Sequence, residues 1–194
     1  SIFVSSLAVN LYTATNVVVL GMLTNNVIVG YYSAADKLIT CVRRGIYAVS
    51  DAIYPFISKM MKDDIPKGLR FIKKQLFLYL VVGLVGCTSL FLFSDTIVKL
   101  LFGADYDLTV DVLRILSFVP LAVAISTVFG EETMLPLNMN SAYSRTLVLA
   151  AFFSLLSIFP LCYMWGAEGV AMTMLLTEFL IMIVMGGLLW KRLL

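Results

Sequence analysis

The stretch GVAMTMLLTEFLIMIVMGGLLW, residues 169–190, decides the class of fold. Its only ionisable side chain is Glu178, and its length matches the roughly 20 apolar residues that a helix needs to cross a bilayer. Comparable windows recur upstream, so the sequence predicts six membrane-spanning helices, at residues 4–23, 33–57, 71–94, 112–130, 146–165 and 169–190. We therefore expect an all-α membrane protein built as a six-helix bundle.

The composition excludes other classes of protein. Of the 194 residues, 61% are apolar and 13% are charged, which is about half the usual charged share and too little to cover a soluble enzyme. A net charge of +2 without a basic block argues against nucleic acid as a partner. Histidine is absent and the three cysteines lie far apart, so we predict no metal, no cofactor and no enzymatic activity.

The connectors between the windows are short, which makes consecutive helices antiparallel neighbours. They include 24–26, 62–68, 103–107, 165–169 and the acidic pair Glu131 and Glu132. Basic residues gather on one side of the predicted membrane, at Lys59, Lys62, Lys67, Arg70, Lys73, Lys74, Arg145, Lys191 and Arg192. Because such residues stay on the cytoplasmic side, we expect both ends of the chain there. The amphipathic run 96–102, closed by Gly103, predicts a short helix at the outer interface.

The second window is the unusual one, because it holds Asp36, Lys37, Arg43, Arg44 and Asp51. In mid-membrane each such charge costs roughly 2.5–3.5 kcal/mol on insertion scales. At about 100° per residue the polar side chains fall within an arc of about 140°, opposite an aliphatic face. The polar set is Ser33, Asp36, Lys37, Thr40, Arg43, Arg44, Tyr47, Ser50, Asp51 and Tyr54. This face is expected to line the bundle interior or a water-filled cavity.

Two interpretations of these charges remain open. In the structural one, Asp36 and Asp51 pair with arginines and only fix the packing. In the functional one, three cations against two anions form a net positive strip for an anionic substrate. Arg43 and Arg44 would then grip phosphate with two hydrogen bonds each, and Lys37 would act as a point charge.

Weaker polar features lie in the first and last windows. Asn10, Thr13 and Asn16 follow at helical spacing, which suits either substrate contact or hydrogen bonds between helices. Glu178 is a candidate for ion coupling through uptake of a proton, and pairing with a cation is the equally open alternative.

Several short sequence motifs resemble those of a known family. They are LYTATN at 11–16, VGYYSAADKLI at 29–39, YPFISK at 54–59, LFGADY at 101–106, MLPLNMN at 134–140 and GAEGVA at 166–171. In this order and spacing they resemble the C-terminal half of the Wzx-type O-antigen flippases, members of the multidrug/oligosaccharidyl-lipid/polysaccharide exporter superfamily.

The resemblance implies a twelve-helix, two-lobe transporter of the bacterial inner membrane, in which residues 1–194 form one domain, helices 7–12, without the N-terminal lobe. The abrupt apolar start also suggests a fragment. Such transporters move undecaprenyl-diphosphate-linked repeat units to the periplasmic leaflet by alternating access, for lipopolysaccharide biosynthesis. The implied partners are the lipid-linked oligosaccharide, the bilayer, the missing lobe and other polysaccharide-assembly proteins.

In that scheme Tyr47 and Tyr54 stack on sugar rings beside the cations of the second window. The alternatives are a drug or lipid exporter of the same superfamily, a membrane glycan polymerase and a purely structural membrane scaffold.

Overall fold

The structure is a computed structural model that describes residues 2–103 and 105–193, with side chains described for 13–103 and 105–192. Within these ranges the chain is helical apart from short connectors, and no strand occurs. The helices are α1 (Ile2–Leu23), α2 (Asn26–Asp63), α3 (Ile65–Leu92), α4 (Ser94–Phe102), α5 (Asp107–Leu116), α6 (Val119–Phe129) and α7 (Asn140–Leu193), with a π-helical turn at Gly130–Met134. The predicted all-α class is confirmed.

The first connectors are shorter than the sequence predicts. The Asn25 side chain accepts hydrogen bonds from the amides of Val27 and Ile28, both at 3.0 Å, and so starts α2 seven residues before the predicted position of 33. Asp64 is the single residue between α2 and α3, and its side chain caps α3 at the Lys67 amide. The predicted connector 62–68 is therefore mostly helical, because capping groups rather than hydropathy set the ends of these helices.

The fourth predicted crossing is interrupted. Pro120, at the start of α6, has no amide hydrogen to donate to the carbonyl of Leu116, so α5 and α6 are separate segments. Glu131 and Glu132, predicted in a connector, lie instead in the π-helical turn that continues α6. The short predicted helix before this crossing is confirmed as α4, and Gly103 follows it with φ of 100°.

The last two predicted crossings form one long helix, α7, which bends sharply at Gly166. Gly166 has φ 55° and ψ −126°, a conformation that a residue with a Cβ rarely adopts. Three residues on, the backbone folds back so closely that a Cβ on Gly169 would lie 1.9 Å from the carbonyl oxygen of Leu161. The bend divides α7 into a first arm, 140–165, and a second arm, 167–193.

The core lies where α1, α2 and α5 meet the second arm of α7. Leu20, Tyr32, Leu113 and Met174 are among its fully buried side chains. The outer surface is apolar instead of charged, most plainly on α3, where Phe77, Val82, Val85 and Leu92 are exposed. A surface of this kind is stable against lipid and not against water.

In the described part of the chain, three helical segments are long and apolar enough to cross a membrane, at 65–92, 107–134 and 140–192. The third bends back on itself at Gly166. Helix α2 is long enough as well, but its charges keep it out of this set.

Candidate functional site

The polar face of α2 consists of three stripes, each made of residues seven positions apart. Residues at this spacing lie on the same side of a helix, because two turns shift the direction of the side chain by only about 20°. The buried stripe is Asp36, Arg43 and Ser50; Arg43 and Ser50 are buried and Asp36 is half-buried. The middle stripe, Ser33, Thr40, Tyr47 and Tyr54, is half-buried throughout. The exposed stripe is Lys37, Arg44 and Asp51, all exposed. The predicted polar arc thus runs from the protein interior to its surface.

The buried stripe is anchored by an ion pair between α2 and α7. Arg43 Nη2 donates to Glu178 Oε1 at 3.0 Å, and the two side chains are 9% and 4% exposed. Of the two roles left open for Glu178, pairing with a cation is the one that this geometry displays. The pair joins residues 135 positions apart in the sequence.

Other predicted site residues surround this pair. Asp36 and Tyr47 lie within electrostatic range of Arg43. Asn16 of α1 is 1% exposed and lies next to Tyr32, whose hydroxyl is 3.9 Å from the sulfur of Met174. Helices α1 and α2 and the second arm of α7 therefore converge on a polar centre. Thr13 is half-buried on α1, and the side chain of Asn10 lies outside the described residues.

The exposed stripe is not part of that centre. Lys37, Arg44 and Asp51 make no ion pair among the described residues, where the pairs are Arg43–Glu178, Lys99–Asp95 and Arg114–Asp111. Two cations and one acid thus lie on the outer surface of a helix long enough to cross a bilayer. Acyl chains are a costly environment for such groups, so this side of α2 must face water or more protein.

A recess of about 450 Å³ opens beside the N-terminal end of the exposed stripe. It is lined by Asn26, Val27, Gly30, Tyr31, Ser33, Ala34, Lys37, Phe102 and Tyr106. The Tyr31 and Tyr106 rings meet edge to face at 5.2 Å, and Thr109 Oγ1 donates to the Tyr31 carbonyl at 3.0 Å. The sequence analysis did not single out these aromatic residues as site residues, although Tyr31 and Tyr106 both lie in the motifs that resemble the flippase family.

An apolar groove of about 450 Å³ lies on the aliphatic face of α2, away from the exposed stripe. Its walls are α2 and α3 and its floor is α6, with Val42, Gly45, Ile46, Val49, Tyr79, Val82, Gly83, Gly86, Cys87, Leu90, Pro120 and Ala124 as lining residues. Gly45 and Gly86 leave the groove open, because a Cβ at either position would meet no atom within 4 Å, whereas Gly83 lets α3 pack closely against Leu121 of α6.

A second polar centre was missed by sequence reasoning. Glu132, 0% exposed, accepts a hydrogen bond from Ser50 Oγ at 2.7 Å, and Gln75 of α3, 6% exposed, lies beside it. The sequence feature that could have revealed this centre is the position of Ser50. It lies seven residues after Arg43 and therefore on the same buried side of α2. The two adjacent acids instead suggested a solvated connector.

The described residues hold no group of three histidine, cysteine, aspartate or glutamate side chains placed for a metal ion. Cys41, Cys87 and Cys162, all within the described part, are free thiols.

The fold defines the class: an all-α membrane protein, with a buried Arg43–Glu178 pair between α2 and α7. A family model described as "Polysaccharide biosynthesis protein" matches residues 1–61, which cover α1 and most of α2. The chain is 34% identical over 180 residues to a "Putative O-antigen transporter" of Escherichia coli (strain K12), covering 93% of this chain and 43% of that protein.

It is also 27% identical over 183 residues to a protein of the same description from Shigella dysenteriae, covering 94% of this chain and 46% of the relative. The predicted resemblance to the O-antigen flippases is confirmed. The chain spans less than half the length of these relatives. No solved structure matches the chain.

Proposed function

We propose that this chain is one lobe of a two-lobe flippase for lipid-linked oligosaccharides in the bacterial inner membrane. The whole transporter moves undecaprenyl-diphosphate-linked repeat units from the cytoplasmic to the periplasmic leaflet by alternating access, without acting as an enzyme. The observation that carries this proposal is the exposed stripe of α2. A helix that crosses the membrane with Lys37, Arg44 and Asp51 outward needs a wet cavity on that side, and a second lobe supplies one.

The charge of the stripe favours an anionic cargo. Arg43 is ion-paired with Glu178, so the exposed charges are two cations and Asp51. Lys37 and Arg44 are seven residues apart, about 10 Å along a helix, a distance that two long side chains bridge around one diphosphate. A drug exporter for cationic compounds needs the opposite sign of charge here.

The aromatic recess suits the glycan part of such a cargo. Tyr31 and Tyr106 offer ring surfaces with hydroxyl groups at their edges, which is the combination that packs on the apolar face of a sugar while bonding its hydroxyls. Lys37 lines the same recess, so diphosphate and first sugars would be held next to each other. Tyr47 and Tyr54 extend this surface along the middle stripe.

The apolar groove suits the polyprenyl part. Its wall residues Val42 and Val49 lie on the aliphatic face of α2, on the other side of the helix from Lys37 and Arg44, so a tail between α2 and α3 would reach around α2 from a head group held by these cations. Head and sugar then each meet a surface of matching chemistry on one side of α2, and the apolar groove lies on its other side.

The test is to replace the two exposed cations in the intact protein. We expect Lys37→Gln and Arg44→Gln together to reduce surface polysaccharide at least tenfold in cells whose own flippase gene is deleted, with membrane protein levels held equal. Lys191→Gln, an exposed cation at the end of α7, is the matched control and should leave the polysaccharide unchanged. Wild-type polysaccharide from the double variant would refute the proposal.

A further inference from the structure

The charged residues of α3 share three properties: they are basic, they are exposed, and they are confined to the first ten residues of the helix. They are Lys67, Arg70, Lys73 and Lys74. The end of α2 adds Lys59 and Lys62, which are exposed as well. Residues 59–74 therefore hold six cations against two acids.

The α2–α3 hairpin is closely packed at this end. Asp64 is the single residue between the two helices, and a Cβ on the buried Gly68 would lie 2.7 Å from Met61 Sδ. The rings of Phe56 and Phe71 meet edge to face at 5.5 Å across the hairpin. The cations are therefore held near one another on a fixed backbone.

No acid of the described chain forms an ion pair with these six cations, since the three ion pairs found there lie elsewhere. Of the two nearby acids, Asp64 serves as a helix cap and accepts a hydrogen bond from the Lys67 amide at 3.0 Å. Arg70 Nε donates to the Pro66 carbonyl at 3.4 Å, which leaves the Nη groups of the guanidinium for a ligand. An exposed patch with a net charge of this sign attracts an anionic partner.

One face of α3 is charged at its start and apolar beyond, apart from one threonine. At about 100° per residue this face spans an arc of about 80°. Its members, all exposed, are Lys67, Arg70, Lys74, Phe77, Val81, Val85, Thr88 and Leu92. The apolar groove uses the opposite side of the same helix, through Tyr79, Gly83 and Cys87. The charged and apolar parts of this face thus form a surface of their own.

The order of charge and hydropathy along this face matches an anionic phospholipid. From Phe77 to Leu92 the helix rises about 23 Å, more than the roughly 15 Å of hydrocarbon in one leaflet, so acyl chains can lie along it for their full length. The three cations then lie at the level of the headgroups, where long basic side chains reach phosphate. A soluble polyanion leaves the apolar part unused, and a zwitterionic lipid brings a cation of its own into the patch.

We propose that this face of α3 binds an anionic phospholipid of the bilayer, with the phosphate held by Lys67, Arg70 and Lys74 and the acyl chains along the apolar part. The bound lipid fixes the depth of the α2–α3 hairpin in the membrane. The site shares no residue with the proposed cargo contacts at Lys37 and Arg44, and it goes beyond the proposed function.

The experiment counts the lipids bound to the purified intact protein by native mass spectrometry, with phosphatidylglycerol and phosphatidylcholine of the same acyl chains. We expect the wild type to bind phosphatidylglycerol at least tenfold more tightly than phosphatidylcholine. The triple variant Lys67→Gln, Arg70→Gln, Lys74→Gln should hold one phosphatidylglycerol fewer than the wild type at a concentration that saturates the wild type. Glycerol 1-phosphate at the same concentration should displace no lipid, because it lacks the acyl chains.

The matched control also removes three exposed cations, at positions away from this face of α3. It is Lys99→Gln, Lys191→Gln, Arg192→Gln, and it should bind as many lipids as the wild type. Equal losses in the two triple variants would overturn the proposal, because overall charge and not this face would then attract the lipid.

Three further outcomes overturn the proposal. They are equal affinity of the wild type for the two lipids, a wild-type lipid count in the folded α3 variant, and displacement of the lipid by glycerol 1-phosphate, which would assign the patch to a soluble anion. The polysaccharide assay rests on Lys37 and Arg44 and not on α3, so failure of the lipid site and failure of the proposed function are distinguishable.

Discussion

At the scale of single residues, the Arg43–Glu178 pair determines how α2 sits against α7. Both side chains are buried, and the Glu178 carboxylate lies 3.0 Å from the Arg43 guanidinium, so each helps to compensate the charge of the other. A buried pair is typically expensive to break and cheap to replace as a unit, because removal of one partner leaves an uncompensated charge. The pair therefore acts first as a packing constraint, and any role in ion coupling is additional to it.

A double-mutant cycle tests whether the Arg43–Glu178 pair acts as a packing constraint. We expect Arg43→Leu and Glu178→Leu each to destabilise the protein by about 3–5 kcal/mol, and the double variant to recover most of that loss. The measurement is thermal stability of the intact protein in detergent. Lys99→Ala, which breaks an exposed pair with Asp95, should leave the thermal stability almost unchanged. Losses in the double variant equal to the sum of the single losses would contradict the account.

The sequence predicted Arg43 and Glu178 as site residues, but it did not predict that they pair with each other. The amphipathic pattern identified Arg43, and the isolation of Glu178 in an apolar window identified the acid. Their contact spans 135 positions and depends on how α7 folds back at Gly166, which no local pattern specifies. Glu132 was missed for a related reason, since two adjacent acids between apolar windows read equally well as a loop.

At the scale of elements, the helices follow from hydropathy and their ends from capping groups. Apolar windows predicted where helices lie, while Asn25 and Asp64 decide where α2 and α3 begin, so the predicted boundaries were too narrow. The break between α5 and α6 comes from the proline of α6, and the bend in α7 from two glycines. Hydropathy averages over windows and is blind to such single-residue effects.

The bend makes a sharp prediction about Gly169. A Cβ at this position lies 1.9 Å from the Leu161 carbonyl oxygen, so Gly169→Ala forces the two arms of α7 apart. We expect a loss of at least about 3 kcal/mol, seen as loss of folded protein in a detergent thermal-stability assay. Gly187→Ala, where a Cβ meets no atom within 4 Å, should change stability by no more than about 1 kcal/mol. Equal behaviour of the two variants would show that the arms do not meet in this way.

At the scale of the whole molecule, the described helices leave one charged side without a cover. Most of the outer surface is apolar and suits lipid, while Lys37, Arg44 and Asp51 lie on one exposed stripe beside an aromatic recess. Under the proposed function a second lobe covers this side, and the chain spans less than half the length of the relatives that it matches.

The most direct measurement of this account is thiol labelling of α2 in the intact protein, in native membranes, after replacement of Cys41, Cys87 and Cys162. Lys37→Cys and Arg44→Cys should react with a charged, water-soluble maleimide. Val42→Cys and Val49→Cys, exposed positions on the lipid-facing side of the same helix, should not react. Reaction at the two valine positions but not at the two cation positions, or at none of the four, would contradict the claim that this stripe faces a water-filled cavity.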